Sequence, residues 1–311
     1  MRKKLQMILA SLFVLGVIIL IIGVEFFAPY VVIMPFRLEV EAHPERFPNG
    51  YLPEDFKLSY QVLDIKGVDG IQLSNYLIKA ESSCKGTIIM LHGVGACKEQ
   101  YLSVAADLSK RGYDCLIFDA RAHGKSEGKY CTYGFYEKED TKAAITAVLR
   151  NNPTAKIAVW GSSMGGAVAL QTLAIDDRIA FGIVESTFTE LRQIVYEYQK
   201  RYCSGIVFPW ICDRALYKAG QIANFDPDKV RPIEAVQSIH QPILMIHGDE
   251  DANINIKYGQ ALFDALNSKD KTFYTVNGGG HANLFAVGGQ AYYTNVLNFI
   301  EQQFDGTKVT Y

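Results

Sequence analysis

Lys156-Ile157-Ala158-Val159-Trp160-Gly161-Ser162-Ser163-Met164-Gly165-Gly166-Ala167-Val168-Ala169-Leu170 is the stretch on which the fold of this chain turns. Ile157 to Trp160 is an apolar, partly β-branched run, the pattern of a strand buried on both faces. Met164 to Leu173 is apolar nearly all round and rich in alanine, which predicts a buried helix. Between them lies Gly161-x-Ser163-x-Gly165, the spacing of a nucleophile elbow. So tight a turn from strand to helix leaves no room for side chains two residues either side of the serine. The serine is then held in strained backbone geometry, its hydroxyl exposed at the positive end of the helix.

Outward from the elbow, strand-like and helix-like segments alternate. Lys57–Val62 and Ile71–Ile78 alternate apolar and polar residues around Gly67 to Gly70 and predict two antiparallel strands. Thr87–Leu91, Asp114–Phe118, Ile179–Val184, Ile243–Ile246 and Lys271–Val276 read as further strands. Helices are expected near Gln100–Lys110, over Glu139–Leu149, and at the C-terminus, where Tyr292, Val296, Phe299 and Ile300 share a face. Strands alternating with helices imply a mainly parallel sheet covered on both sides, with reactive residues in loops at the carboxyl ends of the strands. From Ser186 to Val236 the alternation stops. Glu190–Tyr202 and Arg214–Ala223 are expected helices there, around Phe208-Pro209-Trp210, and read as a helical cap over about residues 187–236.

Leu5 to Val24 is a run of 20 residues broken only by Gln6 and Ser11 and preceded by Arg2-Lys3-Lys4. That length suits a membrane-spanning helix, and Glu25-Phe26-Phe27-Ala28-Pro29 offers no A-x-A-like cleavage site, so an anchor (residues 1–28) is preferred to a cleaved signal peptide. Positive residues before the span put the N-terminus in the cytoplasm and residues 57–311 on the outer side. Residues 29–56, with five prolines, read as an irregular connector. The balance of 31 basic against 33 acidic side chains gives no sign of nucleic-acid binding. The 49% hydrophobic content allows a large core.

His92-Gly93-x-Gly95, Asp119-x-Arg121-x-His123-Gly124-x-Ser126, Gly161-Ser162-Ser163-Met164-Gly165-Gly166 and His247-Gly248-x-x-Asp251 occur in this order. With them the chain, from roughly Leu58 to Phe304, resembles the α/β-hydrolases, and within them the membrane-anchored esterase-like and peptidase-like branches. Those branches include acyl-protein thioesterases and serine-aminopeptidase-like hydrolases. The resemblance implies a triad in the order serine, acid, histidine. Ser163 is then the nucleophile and His281, in the loop after the last strand, the general base. Asp251 matches the family position of the acid. Asp249 and Glu250 on the same loop remain rivals, as does Glu185 after the preceding strand. The oxyanion hole would come from the backbone amides of Val94 and Met164. His92 and His247 read as shaping local backbone, and Asp119, Arg121 and His123 as organising a loop. No cofactor is expected, and no histidine pair has the helical spacing of metal ligands.

The expected activity is hydrolysis of an acyl ester or thioester through an acyl-enzyme intermediate. Amidase, exopeptidase and acyltransferase chemistry use the same triad, and a non-catalytic binding protein of this fold is the alternative outside catalysis. Phe188, Tyr196, Tyr198, Tyr202, Phe208, Trp210 and Tyr217 in the cap either line an apolar acyl pocket or pack as the cap's own core. Six cysteines (84, 97, 115, 131, 203 and 212) contain no C-x-x-C pair. Only Cys203 and Cys212 are close in sequence. A turn at Gly205 and Pro209 would bring their Cα atoms within the ~4.4–6.8 Å of a disulfide, and two packed thiols are the alternative.

Overall fold

The apolar runs read above as strands lie side by side in one sheet. The computed structural model describes residues 2–306, and its strands are β1 (Tyr60–Gln61), β2 (Asn75–Ile78), β3 (Gly86–Leu91), β4 (Tyr113–Phe118), β5 (Ile157–Ser162), β6 (Ile179–Glu185), β7 (Ile243–Gly248) and β8 (Lys271–Val276). Their order is β1-β2-β4-β3-β5-β6-β7-β8. β2 is antiparallel to both its neighbours, and all the other pairings are parallel. The helices are α1 (Arg2–Ile22), α2 (Ala28–Ile33), α3 (Leu102–Lys110), α4 (Glu137–Asn151), α5 (Met164–Leu173), α6 (Leu191–Tyr202), α7 (Pro209–Ala223), α8 (Pro232–Ala235), α9 (Ile256–Ala265) and α10 (Leu284–Asp305).

Strand periodicity sorts the core into two layers. On β3, Ile89 and Leu91 join Ala144 of α4, Leu170 of α5 and Leu262 of α9 on one face. Ile88 and Met90 join Leu102 of α3 and Val296 of α10 on the other. Ile157 and Val159 against Ala158 and Trp160 on β5 repeat the division, which is why these strands are apolar throughout. The edge is shorter than the alternation predicts. Lys57 adopts a left-handed conformation (φ 57°) that closes the turn Pro53–Phe56, so extended pairing begins only at Tyr60. Ile71–Ser74 folds back instead of pairing with β4: the Leu73 amide bonds the Ile65 carbonyl at 2.9 Å, and Lys66 bridges Gln72.

α1 does not end where the apolar run ends. A π-helical turn, Gly23–Phe27, carries it into α2, and the whole helix Arg2–Ile33 is long and apolar enough to cross a membrane. Pro29 sits in the first turn of α2, where its missing N–H costs nothing, so the helix passes the proline expected to begin irregular chain. Ile33 is fully buried against Phe188, Leu191 and Leu216. Those residues belong to the segment between β6 and β7, where α6 and α7 form a separate apolar layer with Ala167 of α5 and Ile254. Val236 and Ile239 then return to the main core.

Candidate active site

Ser163 stands alone between β5 and α5 at φ 56°, ψ −118°, a conformation L-residues rarely adopt. The glycines around it are required by close backbone approach. A Cβ on Gly161 would lie 2.2 Å from the Gly165 carbonyl oxygen, and one on Gly165 would lie 1.9 Å from that of Leu91. The strained turn is held from β6: the Ser163 amide donates to the Glu185 carbonyl at 2.8 Å, and the Thr187 hydroxyl donates to the Ser163 carbonyl at 2.8 Å. Thr187 carries no motif, and sequence reasoning passes over it.

Two loops at the carboxyl ends of β7 and β8 bring the other groups. His281 Nε2 lies 3.0 Å from Ser163 Oγ, and His281 Nδ1 lies 2.8 Å from Asp251 Oδ2. The second oxygen of Asp251 accepts from the amides of Asn253 and Ile254, both at 2.8 Å. An ionised carboxylate on Nδ1 fixes the proton there and leaves Nε2 free to accept from the serine. Burial opposes the charge on Asp251, but His247, His281 and the Ile254 amide outweigh it and hold the carboxyl well below the usual range.

The rival acids have other partners. Asp249 and Glu250 are exposed, and Asp249 Oδ1 accepts from the Gly278 amide at 2.7 Å. Glu185 is buried on the α3/α10 side, where its Oε1 accepts from Trp160 Nε1 at 2.9 Å and from the Tyr292 hydroxyl. Burial pushes its pKa up, against those two hydrogen bonds.

The remaining motif residues shape the loops. His92 donates from Nδ1 to the Gly93 carbonyl (2.8 Å) and accepts at Nε2 from the Ala120 amide (3.0 Å). His247 donates from Nε2 to the Ile254 carbonyl at 2.7 Å, bracing the loop that carries Asp251. Asp119 accepts from the Lys98 ammonium and from the amides of Lys98 and Lys125. Arg121 forks onto Asp140 at 2.6 and 2.7 Å. Burial, with His92 beside it, pushes His123 down to about 3, so the ring is neutral at physiological pH.

Val94 follows β3 in a loop that passes against Ser163, since a Cβ on Gly93 would lie 3.4 Å from the Ser163 Cβ. Met164, the first residue of α5, has an amide with no intrahelical acceptor. Both residues line a cavity of about 510 Å³ that also includes Ser163. Phe188, Tyr198 and Tyr202 of the cap line it too. Tyr196 instead hydrogen-bonds Asp213, and Phe208, Trp210 and Tyr217 are exposed. No charged side chain is among the lining residues described. The expected Cys203–Cys212 bridge is not formed: Cys203 caps the exposed C-terminus of α6, while Cys212 is buried in the first turn of α7, facing the cavity. Burial pushes the Cys212 thiol up to about 11. Among the described residues no group of three or more His, Cys, Asp and Glu is placed to hold a metal ion.

Comparison with known proteins agrees with the fold. Residues 82–211 match the family described as serine aminopeptidase, S33. The chain is 29% identical to the uncharacterized protein YqkD of Bacillus subtilis, over 77% of this chain and 78% of that one. It is 26% identical to the α/β-hydrolase domain-containing protein WAV2 of Arabidopsis thaliana, over 80% and 81%. Among solved structures, an esterase of Pyrococcus furiosus superposes with a TM-score of 0.72 at 25% identity, covering 88% of this chain and 98% of the esterase. The acylaminoacyl peptidase of Pyrococcus horikoshii shares the fold at a TM-score of 0.62 and 18% identity, over 82% of this chain and 43% of the peptidase. Sheet order, the strand–serine–helix turn and these likenesses together give the chain the α/β-hydrolase fold.

Proposed function

We propose that the protein is a serine hydrolase that cleaves carboxylic esters or thioesters through an acyl-enzyme. The observation that carries this reading is the chain of contacts from Ser163 Oγ to His281 Nε2 and from His281 Nδ1 to Asp251, at the wall of an apolar cavity. His281 takes the Ser163 proton as Oγ bonds to the acyl carbon, and returns it to the departing alcohol or thiol. Water, deprotonated by the same histidine, then releases the acid and restores the serine. The amides of Val94 and Met164 stabilise the oxyanion of both tetrahedral intermediates. Kinship to an esterase supports the choice of ester. Aminopeptidase action fits less well, because an α-amino cation calls for a carboxylate and the cavity wall described has none.

The anchor reading is part of the same proposal: Arg2, Lys3 and Lys4 stay cytoplasmic and the site faces the outer side. A fluorophosphonate probe applied to the full-length protein tests the chemistry. It should label the parent and fail to label Ser163→Ala, while Ser162→Ala, one residue away, keeps most of its labelling. An unlabelled parent, or a labelled Ser163→Ala, would falsify the assignment.

A further inference from the structure

The cavity wall that holds Ser163 and Met164 is completed by the N-terminal segment. Ala28, Val31, Val32, Met34, Pro35 and Phe36 all line it. These residues continue the helix that is long enough to cross a membrane. About 20 residues suffice for a hydrocarbon core of ~30 Å, and the helix Arg2–Ile33 has 32, so with Leu5–Val24 in the hydrocarbon its last stretch, Glu25–Ile33, is left over on the far side of the bilayer. That remainder, from Glu25 onward, is what lines the cavity.

The segment is fastened to the rest of the molecule. Glu25 takes Arg214 Nη2 at 2.8 Å and Lys218 Nζ at 3.5 Å, both from α7. The Tyr133 hydroxyl donates to the Val32 carbonyl, and the Cys131 amide to that of Ile33, each at 2.8 Å. Arg37 donates to the carbonyls of Gly124, Ser126 and Gly128. Large apolar side chains are exposed near the base of this segment and in the cap. Among the lining residues Val31 (81% exposed) and Tyr202 (75% exposed) reach the surface, Arg201 lies over the Tyr202 ring, and Phe26, Phe27, Ile206, Phe208 and Trp210 are exposed as well. Aromatic residues gathered at the end of a spanning helix suit the membrane–water boundary.

We propose, resting on the hydrolase reading above, that the substrate is a bilayer-resident ester lipid. Its acyl chain slides along α2 into the cavity without crossing water, while its polar head remains at the surface. The apolar wall takes the chain, and the absence of charged lining residues among those described leaves the head outside. The N-terminal helix is thereby one wall of the substrate path as well as a tether.

The test uses full-length protein in nanodiscs of diether phosphatidylcholine, which this chemistry cannot cleave. Monooleoylglycerol carried in the disc is compared with p-nitrophenyl acetate in the water. Ile206→Asp combined with Trp210→Asp, at positions outside the cavity lining, should slow monooleoylglycerol hydrolysis at least tenfold and leave acetate hydrolysis within twofold. Equal effects on both substrates, or none on either, overturn the proposal. A second measurement does not need turnover: a diazirine-tailed monoacylglycerol should photocrosslink Ser163→Ala protein at Val31, Val32 or Ile211. Crosslinks absent from these positions overturn the lipid path even if acetate is hydrolysed. Crosslinks present with neither ester hydrolysed would instead uphold the path and overturn the hydrolase reading. Cleavage of an S-acylated peptide in the disc, with monooleoylglycerol untouched, overturns the substrate class.

Discussion

Two carboxylates within reach of the elbow sit in opposite electrostatic situations, and this separates their roles. Asp251 is buried but holds its charge, because two imidazoles and backbone amides surround it. Glu185 is buried between an indole N–H and a phenol, and burial raises its pKa. Asp251→Asn should cut the hydrolytic rate by about 10⁴-fold, the scale known for losing the acid of a serine triad. Glu185→Gln should stay within a few-fold of the parent, since the amide oxygen can accept from the same two donors. The stability effects run in opposite directions with pH. The depressed Asp251 pKa contributes stability that is full above its unfolded value of about 4 and is lost as pH falls through the folded value. The raised Glu185 pKa makes its ionisation a cost that grows as pH climbs above about 4. In urea unfolding, Glu185→Gln should therefore gain on the parent between pH 4 and 7, while the deficit of Asp251→Asn should shrink as pH drops below 4. A crippled Glu185→Gln enzyme would move the acid to β6.

At the scale of elements, the elbow was legible because its requirements are local. Gly161 and Gly165 are dictated by backbone atoms four residues or one strand away, and the apolar runs beside them have unmistakable strand and helix patterns. The same locality makes it testable. Positive φ at a non-glycine residue costs of order 1–3 kcal/mol, so Ser163→Gly should raise stability by about 1–2 kcal/mol while removing hydrolysis. Ser163→Ala should remove hydrolysis with no such gain. Gly165→Ala should act the other way. Its Cβ would drive into the Leu91 carbonyl, forcing β3 and α5 apart at a cost of about 1–3 kcal/mol and shifting the loop that carries Val94. A Gly165→Ala protein with parental thermal stability and rate would show that the elbow tolerates a side chain there. Where elements depend on distant partners, sequence patterns fail: β1 and β2 are shorter than their alternation suggests, because Lys57 turns the chain and Ile71–Ser74 prefers Ile65 and Lys66 to β4.

Across the whole molecule, what the sequence hid is the use made of its N-terminus. The apolar run announces a span, but nothing near Glu25 in the sequence announces Arg214 and Lys218, about 190 positions away, or a cavity that joins both ends of that separation. The prolines suggested slack chain, whereas Pro29 opens α2 and Arg37 locks the segment onto the loop from Gly124 to Gly128. A fixed helix base also makes orientation measurable without a fusion, through the thiols. Cys84 and Cys203 are exposed, whereas Cys97, Cys115, Cys131 and Cys212 are buried. On the proposed orientation, with Arg2, Lys3 and Lys4 in the cytoplasm, the two exposed thiols would face the outer side. A membrane-impermeant maleimide added to intact cells, with outer barriers opened and the cytoplasmic membrane sealed, should then modify Cys84 and Cys203 on a chain of uncleaved mass. Replacing both by serine should abolish the label, because the buried thiols are shielded by packing and their high pKa values. Labelling that appears only after the cytoplasmic membrane is permeabilised would reverse the orientation. A labelled product shortened by the length of the apolar run would turn the anchor into a cleaved signal, leaving the wall residues from Ala28 to Phe36 in place but no longer continuous with a membrane-spanning helix.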